Sequence, residues 1–242
     1  MLKLIAYLIN KGVATVPIIP ESLEEGTLGF PRLSSESCPS ICSLCIESCP
    51  TDAITKVDEE LTIDRGSCIT CGLCISVCPE KLLANDATVN TYAYNREDLH
   101  SSSAAKAKPD RGLYAASFAI RVVSTGCAAC DLEVAAASNP IFDVERFGIQ
   151  IVASPRFADA LLITGPVPKA MHLPLRSCYD AMAAPRIVIA CGTCAISGGV
   201  HKDGYTEANG VNIPVDVYIP GCPPHPWQII TGIQAARKLK GR

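Results

Sequence analysis

The sequence predicts a chain in two folded parts, a small cysteine-rich α+β module followed by an α/β domain with a parallel sheet. Three observations predict this order. Residues 36–95 hold eight of the fourteen cysteines, in two similar runs. Residues 96–116 are rich in Ser, Ala, Lys and Pro without an apolar period, which is typical of a linker. Residues 117–242 contain short apolar strands that alternate with helices.

The composition indicates a globular protein, because hydrophobic residues make up 48% of the 242 residues and charged residues 19%. Residues 1–95 carry six Lys and Arg against twelve Asp and Glu, and the remainder carries fifteen against twelve. Neither part is basic enough to predict nucleic-acid binding. Closely spaced cysteines without a clear signal peptide favour metal ligands over disulfides. Such thiols must stay reduced, so we expect a cytoplasmic protein.

An apolar segment and a strap make up residues 1–35. Met1–Asn10 is apolar over most of a helical surface, and residues 16–35 are Pro-rich and acidic. The helix is too short to span a bilayer. The residues favour a helix that packs on its own domain or on a partner protein. The alternative is a helix that lies at a membrane surface.

The run Cys68–Pro79 has the spacing C-x2-C-x2-C-x3-C-P, with which bacterial-type ferredoxins hold 4Fe–4S clusters. A second run lies 29 residues earlier, where Cys42, Cys45 and Cys49 align with Cys71, Cys74 and Cys78. A repeat at a fixed period indicates a duplicated unit. Two zinc sites are the alternative, but four cysteines in one loop, repeated and each followed by proline, fit iron–sulfur clusters better.

The first run departs from the pattern, because its first cysteine is Cys38 where the spacing predicts position 39. We expect Cys38 to remain a ligand. In this motif the fourth cysteine of each run ligates the other cluster. The prediction is therefore a first cluster held by Cys38, Cys42, Cys45 and Cys78, and a second held by Cys68, Cys71, Cys74 and Cys49.

The rear domain ends three of its predicted strands in cysteine-bearing loops. In an open parallel sheet, sites form outside the carboxyl ends of the strands. Thiolates from these loops would converge there on a third 4Fe–4S cluster, with Cys127, Cys130, Cys222 and either Cys194 or Cys191 as ligands. Gly126, Gly192 and Gly221 would let the backbone approach it. The predicted strands are Phe118–Val123, Ile149–Ala153, Ala160–Thr164, Arg186–Ala190 and Val215–Ile219.

Residues 117–240 resemble the small subunit of nickel–iron hydrogenases and its relative in respiratory complex I, the 20 kDa subunit. The matching pieces are GCAACDLE, SPRFADALLITGPV, IVIACGTCAISGGV and IPGCPPHPW. They are most similar to the membrane-bound, energy-converting branch of the formate hydrogenlyase type. The front part resembles the two-cluster ferredoxin subunit of the same complexes, so the chain looks like a fusion of two subunits.

This resemblance implies a two-cluster ferredoxin module followed by a flavodoxin-like domain, with three 4Fe–4S clusters in all. It implies that Cys194 is the ligand of the third loop and that Cys191 and Cys178 are extra thiols. Glu133 matches an acid of the family, which transfers protons or serves as a first-turn acid of its helix.

The function implied is electron transfer within a membrane-associated nickel–iron hydrogenase complex, without a catalytic residue of its own. The expected partners are a hydrogenase-type large subunit, membrane subunits, and an external redox carrier or dehydrogenase. The location would be peripheral, on the inner face of the cell membrane. Two alternatives remain: the same role in a complex I-like quinone or sulfur-reducing oxidoreductase, and a free-standing iron–sulfur carrier.

Overall fold

The computed structural model describes residues 2–12, 15–34, 42–57, 60–100, 114, 116–206 and 210–241. The helices and strands of the front part are α1 Leu2–Lys11, β1 Phe30–Leu33, α2 Leu44–Glu47, β2 Ile54–Val57, β3 Glu60–Ile63, α3 Leu73–Val77 and β4 Leu83–Asp86. Those of the rear part are β5 Phe118–Ser124, α4 Ala128–Ala137, β6 Ile149–Ile151, β7 Ala160–Thr164, α5 His172–Ala181, β8 Ile187–Cys191, α6 Thr193–Ser197, β9 Val217–Ile219 and α7 Pro226–Ala236.

The rear part is built on a five-stranded sheet with the order β6-β5-β7-β8-β9, in which every pair is parallel. Numbered from β5, this is the order 2-1-3-4-5 of flavodoxin-like folds. The predicted parallel sheet is confirmed. All five residues of β7 and of β8 are buried, as expected for central strands covered on both faces. Helices α4 and α7 cover one face, and α5 covers the other.

The front part contains two small antiparallel pairs, β1 with β4 and β2 with β3. Helices α2 and α3 each follow the start of a cysteine run and pack on one another. Its small apolar core mixes aliphatic residues with cysteines: Ile54, Leu61, Leu83, Cys45 and Cys74 are all buried there. A core this small has little apolar area to offer, so bound clusters would contribute to its stability.

The segment between the two parts packs against both of them. Ala93 forms an antiparallel bridge with Tyr218 at the β9 edge of the sheet. Leu99 is buried, and its carbonyl accepts from the amide of Arg65. Arg96 donates two hydrogen bonds to Asp64, at 2.7 and 2.6 Å. Residues 96–100 of the sequence-assigned linker therefore lie against the front part, and residues 101–113 lie outside the described residues.

Helix α1 spans Leu2–Lys11, one residue later than the predicted Met1–Asn10, and is largely exposed. The side chains of Leu4 and Ile9 are 61% and 73% exposed. The strap that follows contacts both parts, since Thr15 donates to the Pro140 carbonyl and the amide of Leu23 donates to Ala87. In the part of the chain that the structure describes, no helix has the length and apolar character needed to cross a bilayer.

Candidate iron–sulfur centre

Four cysteines lie where β5, β8 and β9 end at the carboxyl edge of the sheet. Cys127 is the N-cap of α4, and Cys130 lies in the first turn of that helix. Cys194 is the second residue of α6, and Cys222 follows β9 after a short loop. This edge includes the switch point between β5 and β7, where doubly wound sheets bind their ligands. The strand order thus brings together thiols that are up to 95 residues apart in sequence.

The thiols of this rear set are close enough to interact electrostatically. Burial raises the pKa of Cys194 to about 12, and the neighbouring thiols of Cys222, Cys127 and Cys130 add to that rise. Burial also raises the pKa of Cys222, again with Cys130 and Cys127 as neighbours. Mutually repelling thiolates in one buried place are poorly stable without a cation or cluster to neutralise them.

Backbone geometry allows the loops to approach so closely. Gly192 has a φ of +91°. A Cβ there would lie 2.4 Å from the sulfur of Cys130, so only glycine fits. Gly126 and Gly221 also have positive φ, at +135° and +140°. At Gly192 the loops do approach closely, whereas a Cβ at Gly126 would meet no atom closer than 3.9 Å. The approach of these glycines to a cluster stays a prediction.

Asp131 holds α4 against the sheet, and the sequence reasoning missed it. Its carboxylate accepts hydrogen bonds from the hydroxyls of Ser124 and Thr164, which end β5 and β7. Asp131 is also the first-turn acid of α4, where the helix N-terminus favours a negative charge. The sequence signal that could have indicated this role is the polar residue at the end of each of the two apolar strands.

Cys191 and Cys178 are the two cysteines of the rear part that do not belong to the rear set. Cys191 is the last residue of β8, is fully buried and belongs to the core beneath the sheet edge. Its thiol hydrogen-bonds to Cys130, which lowers the pKa of Cys130 despite burial. Cys178 packs on the α5 side of the sheet. Cys191 is therefore a neighbour of one candidate ligand, whereas Cys194 interacts with the other three thiols of the rear set.

A second set of thiols lies in the front part. Burial raises the pKa of Cys68 to about 12, and Cys74, Cys49 and Cys71 are the thiols that interact with it. The amide of Ala53 donates to the Cys49 sulfur at 3.2 Å, and the amide of Thr70 donates to the Cys68 sulfur at 3.4 Å. Such bonds stabilise thiolates and tune cluster potentials. Cys49 thus lies with the cysteines of the other run.

A third set lines an apolar cavity formed by Cys42, Cys45 and Cys78 together with leucine side chains. The amide of Leu82 donates to the Cys78 sulfur at 3.3 Å. Cys78 therefore lies with two cysteines of the earlier run. Cys38, the predicted fourth ligand, lies outside the described residues.

The donor chemistry fits iron–sulfur clusters. All the described cysteines are free thiols. Among the described residues, no three His, Cys, Asp or Glu side chains converge as ligands of a single metal ion. A 4Fe–4S cluster places one thiolate on each iron of a cube, so its ligands stand farther apart than those of one ion. The C-x2-C-x2-C-x3-C-P spacing of Cys68–Pro79 suits such a cluster better than zinc.

Comparison with known proteins agrees with this chemistry. The family model of the NADH ubiquinone oxidoreductase 20 kDa subunit matches residues 127–236. The chain is 44% identical over 119 residues to a subunit of the NADH-quinone oxidoreductase of Carboxydothermus hydrogenoformans, and the match covers 48% of this chain and 72% of that protein. The chain belongs to the NADH ubiquinone oxidoreductase 20 kDa subunit family. A model of the LdpA Fe–S cluster-binding domain matches residues 38–89.

Two further relatives are named as subunits of a formate hydrogenlyase and of a membrane-bound hydrogenase. Formate hydrogenlyase subunit 7 of Escherichia coli is 44% identical over 124 residues, which covers 50% of this chain and 49% of that protein. The probable membrane-bound hydrogenase subunit mbhJ of Pyrococcus furiosus is 42% identical over 127 residues, covering 50% of this chain and 76% of that protein. The chain thus spans about half the length of the Escherichia coli relative. The resemblance drawn from the sequence is confirmed, and the chain binds iron–sulfur clusters.

Glu133 opens onto a small cavity of about 110 Å³ between the strap, the front part and the loop after β9. Thr70, Gly221 and His225 line the same cavity. Burial raises the pKa of the Glu133 carboxyl. Asp131, and not Glu133, is the acid in the first turn of α4, so the alternative role as a first-turn acid does not apply to Glu133. Its role in proton transfer stays a prediction.

His225, to which the sequence reasoning assigned no role, caps α7. Its Nδ1 accepts a hydrogen bond from the Trp227 amide at 3.2 Å, and its own amide donates to the Gln228 side chain at 3.0 Å. Burial lowers the pKa of His225. A protonated imidazole cannot accept at Nδ1. The capping box therefore holds α7, which follows the Cys222 loop, only while His225 is neutral.

We expect the cap to make stability pH-dependent. Because the folded pKa lies below the unfolded value of about 6.5, the stabilisation is complete above pH 6.5 and is lost as the pH falls towards the lowered value. His225→Asn keeps a hydrogen-bond acceptor at the cap that does not titrate in this pH range. The thermal midpoint of this variant should therefore not fall as the pH is lowered below 6.5. His225→Ala should cost about 1 kcal/mol at pH 7.5. Equal pH slopes for wild type and His225→Asn in anaerobic thermal unfolding would contradict this assignment.

Proposed function

We propose that this chain is the iron–sulfur electron-transfer subunit of a membrane-associated nickel–iron hydrogenase complex. The observation that carries the proposal is the convergence of Cys127, Cys130, Cys194 and Cys222 at one edge of a flavodoxin-like sheet. The hydrogenase names of two relatives support the type of complex. The cysteines act as ligands and not as nucleophiles, so the chain passes electrons without turning over a substrate by itself.

Three 4Fe–4S clusters follow from the three thiol sets. The rear cluster takes Cys127, Cys130, Cys194 and Cys222. The front module is a two-cluster ferredoxin module, with residues 1–35 as helix and strap, 36–95 as the module, 96–116 as the linker and 117–242 as the rear domain. Its first cluster takes Cys38, Cys42, Cys45 and Cys78, and its second takes Cys68, Cys71, Cys74 and Cys49.

The contacts between the sets support a linear order. Cys45 of the first set and Cys74 of the second interact electrostatically. Cys68 of the second set has its carbonyl 2.8 Å from the hydroxyl of Thr193, next to Cys194 of the rear set. The second front cluster would therefore stand between the other two, and the rear cluster would face the large subunit.

The chain's own groups hold and tune these centres. Soft thiolates stabilise iron–sulfur cores, and each bound cluster supplies reversible one-electron storage. Amide donors to the sulfurs of Cys49, Cys68 and Cys78 offset negative charge and raise the reduction potential. Burial of Cys45, Cys74, Cys130 and Cys194 excludes water from one side of each site.

The expected partners are a hydrogenase-type large subunit, membrane subunits, and an external redox carrier or dehydrogenase. Exposed apolar residues of α1 suit a peripheral position at the inner face of the membrane. A second candidate is the same role in a complex I-like quinone or sulfur-reducing oxidoreductase, which the likeness to a component of an NADH-quinone oxidoreductase favours. Paired C-x2-C motifs in the large subunit would distinguish a nickel enzyme from this alternative.

Anaerobic purification tests the proposal. We expect about twelve irons and twelve sulfides per chain, and interacting electron paramagnetic resonance signals from three reduced clusters. A colourless protein that contains zinc would contradict the proposal. So would a protein with about eight irons whose paramagnetic signals are unchanged when the rear cysteines are substituted. Co-purification with a large subunit would then distinguish a member of a complex from a free-standing carrier, which should stay a monomer.

A further inference from the structure

Helix α6 lies between the rear thiol set and the second front set. It begins at Thr193, directly after Gly192, and Cys194 is its second residue. The Thr193 side chain is only 1% exposed. Its hydroxyl oxygen lies 2.8 Å from the carbonyl oxygen of Cys68 and 3.1 Å from that of Gly221. One buried hydroxyl thus touches a candidate ligand residue of the front set and the loop that carries Cys222.

The Thr193 hydroxyl donates its hydrogen to the carbonyl of Cys68 in the front part. The Gly221 carbonyl already accepts from the Thr193 amide at 2.9 Å. A hydroxyl carries one donor hydrogen, and the shorter of its two contacts is to Cys68. An O–H donor directed at a buried carbonyl is costly to remove, because the carbonyl is left without its partner.

The same helix makes a second contact to the loop that precedes Cys68. Ser197 donates from its hydroxyl to the Gly66 carbonyl at 3.0 Å. A Cβ at Gly66 would come within 2.9 Å of the Ile196 side chain, so the loop and the helix are in close contact. Beyond α6, Lys202 pairs with Asp52 at 2.6 Å near the first run. The front module is therefore seated on α6 and its continuation.

We propose that Thr193 is a positioning residue that sets the separation of the second front cluster from the rear cluster. This inference rests on the proposed function. One electron leaves the front site, which is oxidised, and arrives at the rear site, which is reduced. No bond forms or breaks and no proton moves. Because Thr193 joins Cys68 to the backbone of the rear loops, its hydroxyl holds the two sites at a constant distance and connects them through hydrogen bonds.

The test uses the full chain, purified anaerobically with its clusters. Thr193→Val keeps the shape of the side chain and removes the hydroxyl, whereas Thr193→Ser keeps the hydroxyl. Ser197→Ala is the matched control, because it removes a contact to the same loop at a residue that is not a ligand. After sub-stoichiometric photoreduction by a deazaflavin with a sacrificial donor, freeze-quenched paramagnetic resonance follows the electron from front to rear.

We expect Thr193→Val to slow this transfer about tenfold, as loss of a supporting hydrogen bond does at metal sites. The magnetic interaction between the two clusters should weaken, with unchanged iron content. Thr193→Ser and Ser197→Ala should stay near the wild-type rate. Wild-type transfer in Thr193→Val, an equally slow Thr193→Ser, or loss of iron from Thr193→Val would each overturn the inference. Failure of the proposed function looks different, because the wild-type chain would then lack three reducible clusters.

Discussion

Cys194→Ala is expected to remove the rear cluster and about four of about twelve irons, whereas Cys191→Ala is expected to keep all of them. Cys194 interacts with the thiols of Cys222, Cys127 and Cys130. Cys191 is fully buried in the core, and Cys130 is the thiol of the rear set with which it interacts. Iron and sulfide analysis with spin quantitation of the reduced chain measures the difference.

The Cys191→Ala variant is the matched control, because it removes a thiol three residues away without removing a ligand. Its rear cluster should change in potential, since the hydrogen bond to Cys130 is lost. Retention of about twelve irons in Cys194→Ala together with loss of about four in Cys191→Ala would show that Cys191 is the ligand. That result would reverse the roles of the two thiols.

Cys78→Ala and Cys49→Ala are expected to remove different front clusters, each the one opposite to its own sequence run. Cys78 shares a cavity with Cys42 and Cys45, so Cys78→Ala should abolish the first cluster. Cys49 interacts with Cys68 and Cys74, so Cys49→Ala should abolish the second. Each variant should lose about four irons, or about one iron if a three-iron core survives.

The magnetic interaction with the rear cluster identifies which front cluster remains. In Cys78→Ala the second cluster stays next to the rear one, so the interaction should persist. In Cys49→Ala only the outer cluster remains in front, and the interaction should weaken sharply. The opposite outcome would mean that each run ligates its own cluster, and the crossed arrangement would be wrong.

The local features of the candidate sites could be predicted from sequence because they depend on short stretches of chain. The spacing of Cys68, Cys71 and Cys74 is set within one loop, so the motif alone indicates a cluster. The apolar runs of β7 and β8 are continuous because both faces are covered, which predicts a parallel sheet. The close approach at Gly192 was also predictable, since it lies directly beside a cysteine-bearing strand end.

The residues that sequence reasoning missed act through partners far away in the chain. Asp131 accepts from Thr164, 33 residues later, and Thr193 contacts Cys68, 125 residues earlier. His225 caps α7, although histidine is not one of the usual N-cap residues Ser, Thr, Asp and Asn, so the sequence did not indicate this role. A polar side chain carries no mark of its partner in its own neighbourhood, so such roles depend on the packed fold.

The sequence by itself determined the type of chemistry, the two cysteine runs and the alternation of strands and helices. These follow from ligand spacing and hydrophobic period, which are properties of neighbouring residues. Only the tertiary structure shows that Cys194 interacts with all three other rear thiols whereas Cys191 interacts with Cys130, and that α6 seats the front module beside them. Those relations depend on the order in which the strands pair and on the side of the sheet on which each side chain lies. Both are set by the burial of the whole apolar core.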